Sequence, residues 1–225
     1  MLPNIEHNLY LKFKKFRPKG GYRIKKYEQN PVLEISEIVQ LGYLDVNRTL
    51  RGINTKQSSL FKQVGISFIE NLLTDLPKNQ QDFDSLHHKY CQECIKANSQ
   101  VAAHIHYGQA QKLLNMSLKY LYNEYAAYKN LLNSLNPLNF PDNNIEYFFH
   151  LPIDNQILNY LVKNYNFTKP KSLPWSQWGY ENYINFQSQL RSRINDKYKS
   201  LEIDYILWNT NGASIGNAIQ KLSNK

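Results

Sequence analysis

Cysteine is scarce in this chain: 225 residues carry two, Cys91 and Cys94. Two thiols cannot build a disulfide framework, and they are too few for a four-cysteine zinc or iron–sulfur site. Long apolar runs are missing too. No stretch approaches the roughly 18 consecutive apolar residues of a membrane span, and the first residues lack the apolar core of a secretory signal. The expectation is a cytoplasmic protein with no membrane partner. Acidic residues are outnumbered, 18 against 27 Lys plus Arg, which gives a net charge of +9 and a pI near 9.3. That balance favours an anionic partner such as nucleic acid. No strand ladder and no internal repeat is visible, so the fold class expected is all-α.

What is present begins with charge. Between Leu9 and Lys26 lie Lys12, Lys14, Lys15, Arg17, Lys19, Arg23, Lys25 and Lys26, with no acidic residue among them. Tyr10, Phe13, Phe16 and Tyr22 interleave with these charges, and Pro18 to Gly21 breaks the run. Residues 1–30 therefore read either as a solvated tail or as a basic arm that tracks a phosphate backbone, its aromatics packing or stacking. Residues 31–225 read as one helical domain.

Within that domain the spacing predicts helices over Val32–Leu41 and Gln57–Leu76, the second with Leu60, Val64, Phe68 and Leu72 inward. A third is expected over Asp82–Ala97. It places His87, Cys91 and Cys94 on one face, a spacing able to hold a metal. Reduced, buried thiols beside surface histidines explain the same pattern at lower cost. Asn130 to Asn144, rich in Asn and Pro, should be a loop, followed by a short helix over Ile153–Val162 with Asp154 in its first turn. Leu173 to Trp178 opens a long helix over Tyr180–Tyr198, with Tyr183, Phe186, Leu190 and Ile194 inward. Asp204–Trp208 begins an apolar turn, Asn209 to Gly212 stops it, and Ala213–Leu222 ends the chain as a helix.

The central stretch is Tyr107 to Tyr122. At about 100° per residue it sorts into a stripe of Leu114, Leu118, Leu121 and Tyr125, opposite Lys112, Met116 and Lys119. Taken alone, the lysine side is an ordinary solvated face. It follows a helix and a short connection, and it opens at Gly108. That is the layout of a helix-hairpin-helix element, whose second N-terminus binds a backbone phosphate, although the usual paired glycines are absent. Asp154 and Asp204, each ahead of an apolar segment, are taken singly what helix N-caps look like.

Three blocks, Lys112-Leu-Leu-Asn-Met116-Ser-Leu-Lys119, Leu-Pro-Ile-Asp154 and Ile-Asp204-Tyr-Ile-Leu-Trp208, together resemble the active-site blocks of the archaeal 8-oxoguanine DNA glycosylase family, within the helix-hairpin-helix DNA glycosylase superfamily. The resemblance spans roughly residues 100 to 210. It implies an all-α fold of two helical lobes flanking a cleft, and a DNA glycosylase with AP lyase activity for base-excision DNA repair. In it Lys112 is the Schiff-base nucleophile and Asp154 the catalytic carboxylate. It further implies Met116 and Trp208 as walls around a flipped-out base, with Lys119 and Asp204 at its edge. The partner implied is duplex DNA, held in addition by Gly108 and by Lys12, Lys14, Lys15, Arg17, Lys25 and Lys26 of the arm. The resemblance calls for no metal and no small-molecule cofactor.

The residue types suit this chemistry. Cleavage of an N-glycosidic bond develops positive charge on the sugar, which a carboxylate stabilises, and an amine nucleophile leaves a Schiff base that permits β-elimination. Met116 departs from the family pattern, where that wall is aromatic, so bases other than 8-oxoguanine come into view. The longer gap between Lys112 and Asp154 is a second departure, one that a surface insertion absorbs. Two further readings belong to other classes. A non-enzymatic nucleic-acid-binding protein with a degenerate glycosylase fold would bind DNA but never cleave it. An α-helical interaction protein would show no salt-dependent DNA affinity.

Overall fold

The computed structural model describes residues 33–97, 104–132, 145–194 and 199–209, the side chains of 123–132, 194 and 205–209 excepted. The arm lysines Lys12, Lys14, Lys15, Lys25 and Lys26, with Arg17, lie outside the described residues, as does the expected helix Ala213–Leu222. Every regular element among the described residues is helical: α1 (Ile35–Val46), α2 (Thr55–Thr74), α3 (Gln80–Ala97), α4 (Tyr107–Leu132), α5 (Asn155–Tyr165), α6 (Tyr180–Ile194) and α7 (Ser200–Asn209). Short 3-10 turns occupy Asn47–Thr49, Ile145–Tyr147 and Trp175–Gln177. The all-α expectation holds for these residues.

Local chemistry sets the boundaries. Helix α2 opens on a reciprocal capping box: Gln57 N donates to Asn54 Oδ1 at 2.9 Å, and Asn54 N donates to Gln57 Oε1 at 3.0 Å. This box starts the helix two residues before the expected Gln57. Helix α1 starts later than expected, where Glu34 N donates to the Glu37 carboxylate at 3.1 Å, and runs through Gly42 instead of ending at Leu41. Gly42 is there for packing. A Cβ on it would lie 2.5 Å from Ser117 Oγ and 2.9 Å from Ser117 N on α4, so only glycine lets the two backbones approach this closely.

Helix α4 is the axis of the fold, packed against α1, α2, α3, α6 and the Trp175–Gln177 turn. Helix α3 covers α2 as well as α4, joining Phe68 and Phe83 to the core around His87. Two expected helix faces differ from those observed. The buried side of α2 is Phe61, Gly65, Phe68, Ile69 and Leu72, while Leu60 is 40% exposed. On α4 no residue from Tyr107 to Leu118 is exposed, so Lys112 and Met116 sit on no solvated face. A helix apolar or buried all round belongs inside a protein, and the lysines in it need partners.

Asp204 is also differently placed. It lies within α7, one turn past the start at Ser200, and does not cap a helix. The Leu173 to Trp178 segment forms a 3-10 turn before α6, whose inward residues Tyr183, Phe186 and Leu190 are buried as expected.

Candidate active site

Helix α4 delivers Lys112, and the segment Leu151-Pro152-Ile153 delivers Asp154. Lys112 Nζ donates to Asp154 Oδ2 at 3.1 Å, and the two side chains are 4% and 5% exposed. Among the described residues this carboxylate is the one acceptor that the amine reaches. The other oxygen is used locally: Asp154 is the N-cap of α5, and its Oδ1 accepts from Gln156 N and Ile157 N, each at 3.0 Å. Asp154 is thus a helix cap and the lysine's partner at once.

Two turns along α4, Lys119 Nζ donates to Asp204 Oδ2 in a close ion pair. Asp204 is fully buried, and its Oδ1 has no hydrogen-bond partner among the described residues. Burial raises its carboxyl above the usual carboxylate range. Lys119 and Lys112 oppose that rise, and Asp154 adds to it. The two lysine–aspartate pairs therefore share one electrostatic site. Met116 lies between the lysines on α4 and is buried. The side chain of Trp208 lies outside the described residues.

Comparison with known proteins yields no relative. No protein-family model, no curated protein and no solved structure matches the chain.

Gly108 departs from its expected role. Its N–H donates to Trp178 O at 3.1 Å, and a Cβ on it would lie 1.9 Å from Trp175 O. That amide is occupied and enclosed by the turn before α6, so it does not face a phosphate. The amide of His106 is likewise taken, by Gln109 Oε1 at 2.9 Å, while Gln109 Nε2 donates to Thr49 O at 2.7 Å. Close helix–turn packing explains this glycine.

Of His87, Cys91 and Cys94, all fully buried, the first two meet, and His87 is buried where a surface position was expected. Cys91 Sγ lies 3.7 Å from His87 Nδ1. Burial pushes both thiols upward and lowers His87 well below the ordinary histidine value. Neutral thiols are poor metal ligands, and no group of three or more ligating side chains suited to a metal occurs among the described residues.

The sequence reading missed the polar residues around this histidine. His87 Nε2 meets Asn115 Oδ1 at 3.0 Å, Asn115 Nδ2 donates to Tyr183 OH at 2.8 Å, and Tyr183 OH lies 2.7 Å from His150 Nδ1. His150 Nε2 meets Asp84 Oδ1 at 2.7 Å, and Arg191 Nη2 donates to Asp84 Oδ2 at 3.1 Å. The available signal was the histidine that opens His150-Leu-Pro-Ile-Asp154. A buried histidine four residues from a buried aspartate requires polar partners of its own.

Proposed function

We propose that the protein is a DNA glycosylase with lyase activity, built on the helix-hairpin-helix glycosylase plan, that excises a damaged or modified base through Lys112. The observation that carries this reading is the buried Lys112–Asp154 pair at 3.1 Å, with the Lys119–Asp204 pair beside it. An amine within hydrogen-bond reach of a carboxylate meets the geometric requirement for a nucleophile and its proton acceptor. Net charge supports a polyanionic substrate.

In the reaction the paired Lys112 ammonium gives one proton to Asp154 Oδ2, and the resulting neutral amine attacks C1′ as the N-glycosidic bond breaks. The base leaves with the bonding pair and takes up a second amine proton. Ring opening, with O4′ leaving C1′ and accepting the proton held on Asp154 Oδ2, produces a C1′=Nζ iminium. Loss of a C2′ proton then expels the 3′-phosphate and cuts the strand, and water hydrolyses the imine to return Lys112. Asp154 Oδ1 remains bound to the α5 amides, so Oδ2 alone does the proton work.

The base edge belongs to the second pair. Asp204 Oδ1, buried and unpartnered among the described residues, is an acceptor for an N–H on a flipped-out base, and Lys119 is a donor for a ring nitrogen or carbonyl. Met116 forms a soft wall that accommodates more base shapes than a ring does. The test is incubation with labelled duplexes carrying 8-oxoguanine, other oxidised or alkylated bases, or an abasic site, followed by borohydride reduction. A covalent protein–DNA band supports the reading, and its absence on every duplex transfers the protein to DNA binding without chemistry.

A further inference from the structure

The segment that carries Asp154 is gripped along its length by side chains from two other helices. Gln80 Nε2 of α3 donates to Phe148 O at 2.9 Å. His150 is fully buried, with Nδ1 against Tyr183 OH and Nε2 against Asp84 Oδ1. Leu151 is held at both backbone groups by one side chain: its N donates to Gln187 Oε1 at 3.1 Å, and its O accepts from Gln187 Nε2 at 2.8 Å. Asp154 follows, fixed by its cap and by Lys112.

The same network reaches α4 one turn from Lys112. Asn115 Nδ2 donates to Tyr183 OH and also to Gln111 Oε1 at 2.9 Å. With both histidines neutral and protonated on Nε2, each link has one donor and one acceptor. The order runs from Cys91 to His87, Asn115, Tyr183, His150 and Asp84. A fully satisfied buried network fixes one arrangement, whereas apolar packing is non-directional and leaves register free. Within this network His150 holds the Asp154 segment and Asn115 holds the helix that presents Lys112, while both ends, Cys91 and Asp84, lie on α3.

We propose that Tyr183, Gln187 and His150 are positioning residues that set the separation of Asp154 from Lys112. The geometric part stands without any assumption about the reaction, and the kinetic part rests on the glycosylase reading. A misplacement of about 1 Å costs on the order of 100-fold in a reaction that depends on such a pair.

The experiment compares wild type with Tyr183→Phe, which removes one hydroxyl and keeps the ring, and with Gln187→Met, which frees Leu151. The first readout is amide hydrogen exchange at Gln156 and Ile157, the donors to Asp154 Oδ1, with Phe68 in α2 as reference. Protection at Gln156 and Ile157 is expected to fall about 10-fold beyond any change at Phe68. The second readout is single-turnover adduct formation, expected to slow about 10- to 100-fold with unchanged DNA affinity. In an Asp154→Asn background Tyr183→Phe should cost little more. Uniform loss of protection, or unchanged exchange and rate in both variants, overturns the proposal. Selective loss of protection in a protein whose wild type traps no DNA upholds the positioning role and defeats the glycosylase reading.

Discussion

Asp154 divides its carboxylate between two helices: Oδ1 caps α5 through the amides of Gln156 and Ile157, while Oδ2 holds the amine of Lys112 on α4. Helix capping and ion pairing thus meet on a single side chain, and substitutions separate them. Asn keeps a capping oxygen, so Asp154→Asn should cost less than Asp154→Ala by about 1 kcal/mol, the ordinary worth of a cap. Both leave a buried ammonium unpaired, a loss of about 3–5 kcal/mol. Urea unfolding of the two variants checks the difference. Both should lose adduct formation by about 100-fold or more.

Removal of both charges should be gentler than removal of one. Lys112→Met combined with Asp154→Asn leaves no unpaired ion, so the double variant is expected to be more stable than Lys112→Met alone, which strands a buried carboxylate. A double-mutant cycle by chemical denaturation measures the coupling. Additive losses would mean that the buried pair is not coupled in the folded state.

Acid should weaken the fold early. Burial, first among the causes, lowers both His87 and His150, with His150 opposing protonation of His87 and Arg191 opposing that of His150, against Asp84. Above the ordinary histidine value near 6.5 both groups are neutral in the folded and unfolded states and contribute no pH dependence. Below it the unfolded chain takes up protons that the folded chain refuses, so stability falls with falling pH, by up to about 2.7 kcal/mol per unit for two groups. Urea midpoints between pH 7.5 and 5.5 read this, and a flat profile would count against neutral, buried histidines.

At Gly108 the expected cost is steric. Gly108→Ala drives a methyl into the carbonyl of Trp175, which is backbone and cannot rotate aside, so a loss of about 1–3 kcal/mol or more is expected from overpacking. Thermal unfolding provides the number. Wild-type stability in this variant would contradict the close contact between α4 and the turn before α6.

That Lys112 partners Asp154 followed from the family resemblance of the three blocks, which put Lys119 and Asp204 at a base edge and did not anticipate the ion pair between them. The end of α3 at Ala97 and the start of α6 at Tyr180 agree with the sequence expectation, while α3 opens at Gln80, two residues before the expected Asp82. Burial was less legible. Lys112 and Met116 fall opposite an apolar stripe and look solvated, because a pattern along one helix does not reveal that other elements cover its second face. Asp204 resembled a cap for the same reason: its position inside α7 depends on the turn before it. The network through Asp84, Asn115, His150, Tyr183 and Gln187 joins residues up to 107 apart in sequence, counting the Arg191 contact to Asp84, and its parts are unremarkable singly. Gly108 opens α4 as its sequence position suggests, and like Gly42 it also serves close packing, which one-dimensional patterning does not reveal.

The proposed covalent bond between the Lys112 amine and a DNA sugar is tested most directly by peptide mapping of the borohydride-reduced adduct by mass spectrometry. A duplex with a single abasic site serves as the trap, since it bypasses base recognition. The account predicts one modified peptide, with the reduced sugar on Lys112 Nζ, and no adduct in Lys112→Gln at equal DNA occupancy. An adduct on another lysine, or an undiminished band from Lys112→Gln, would contradict it.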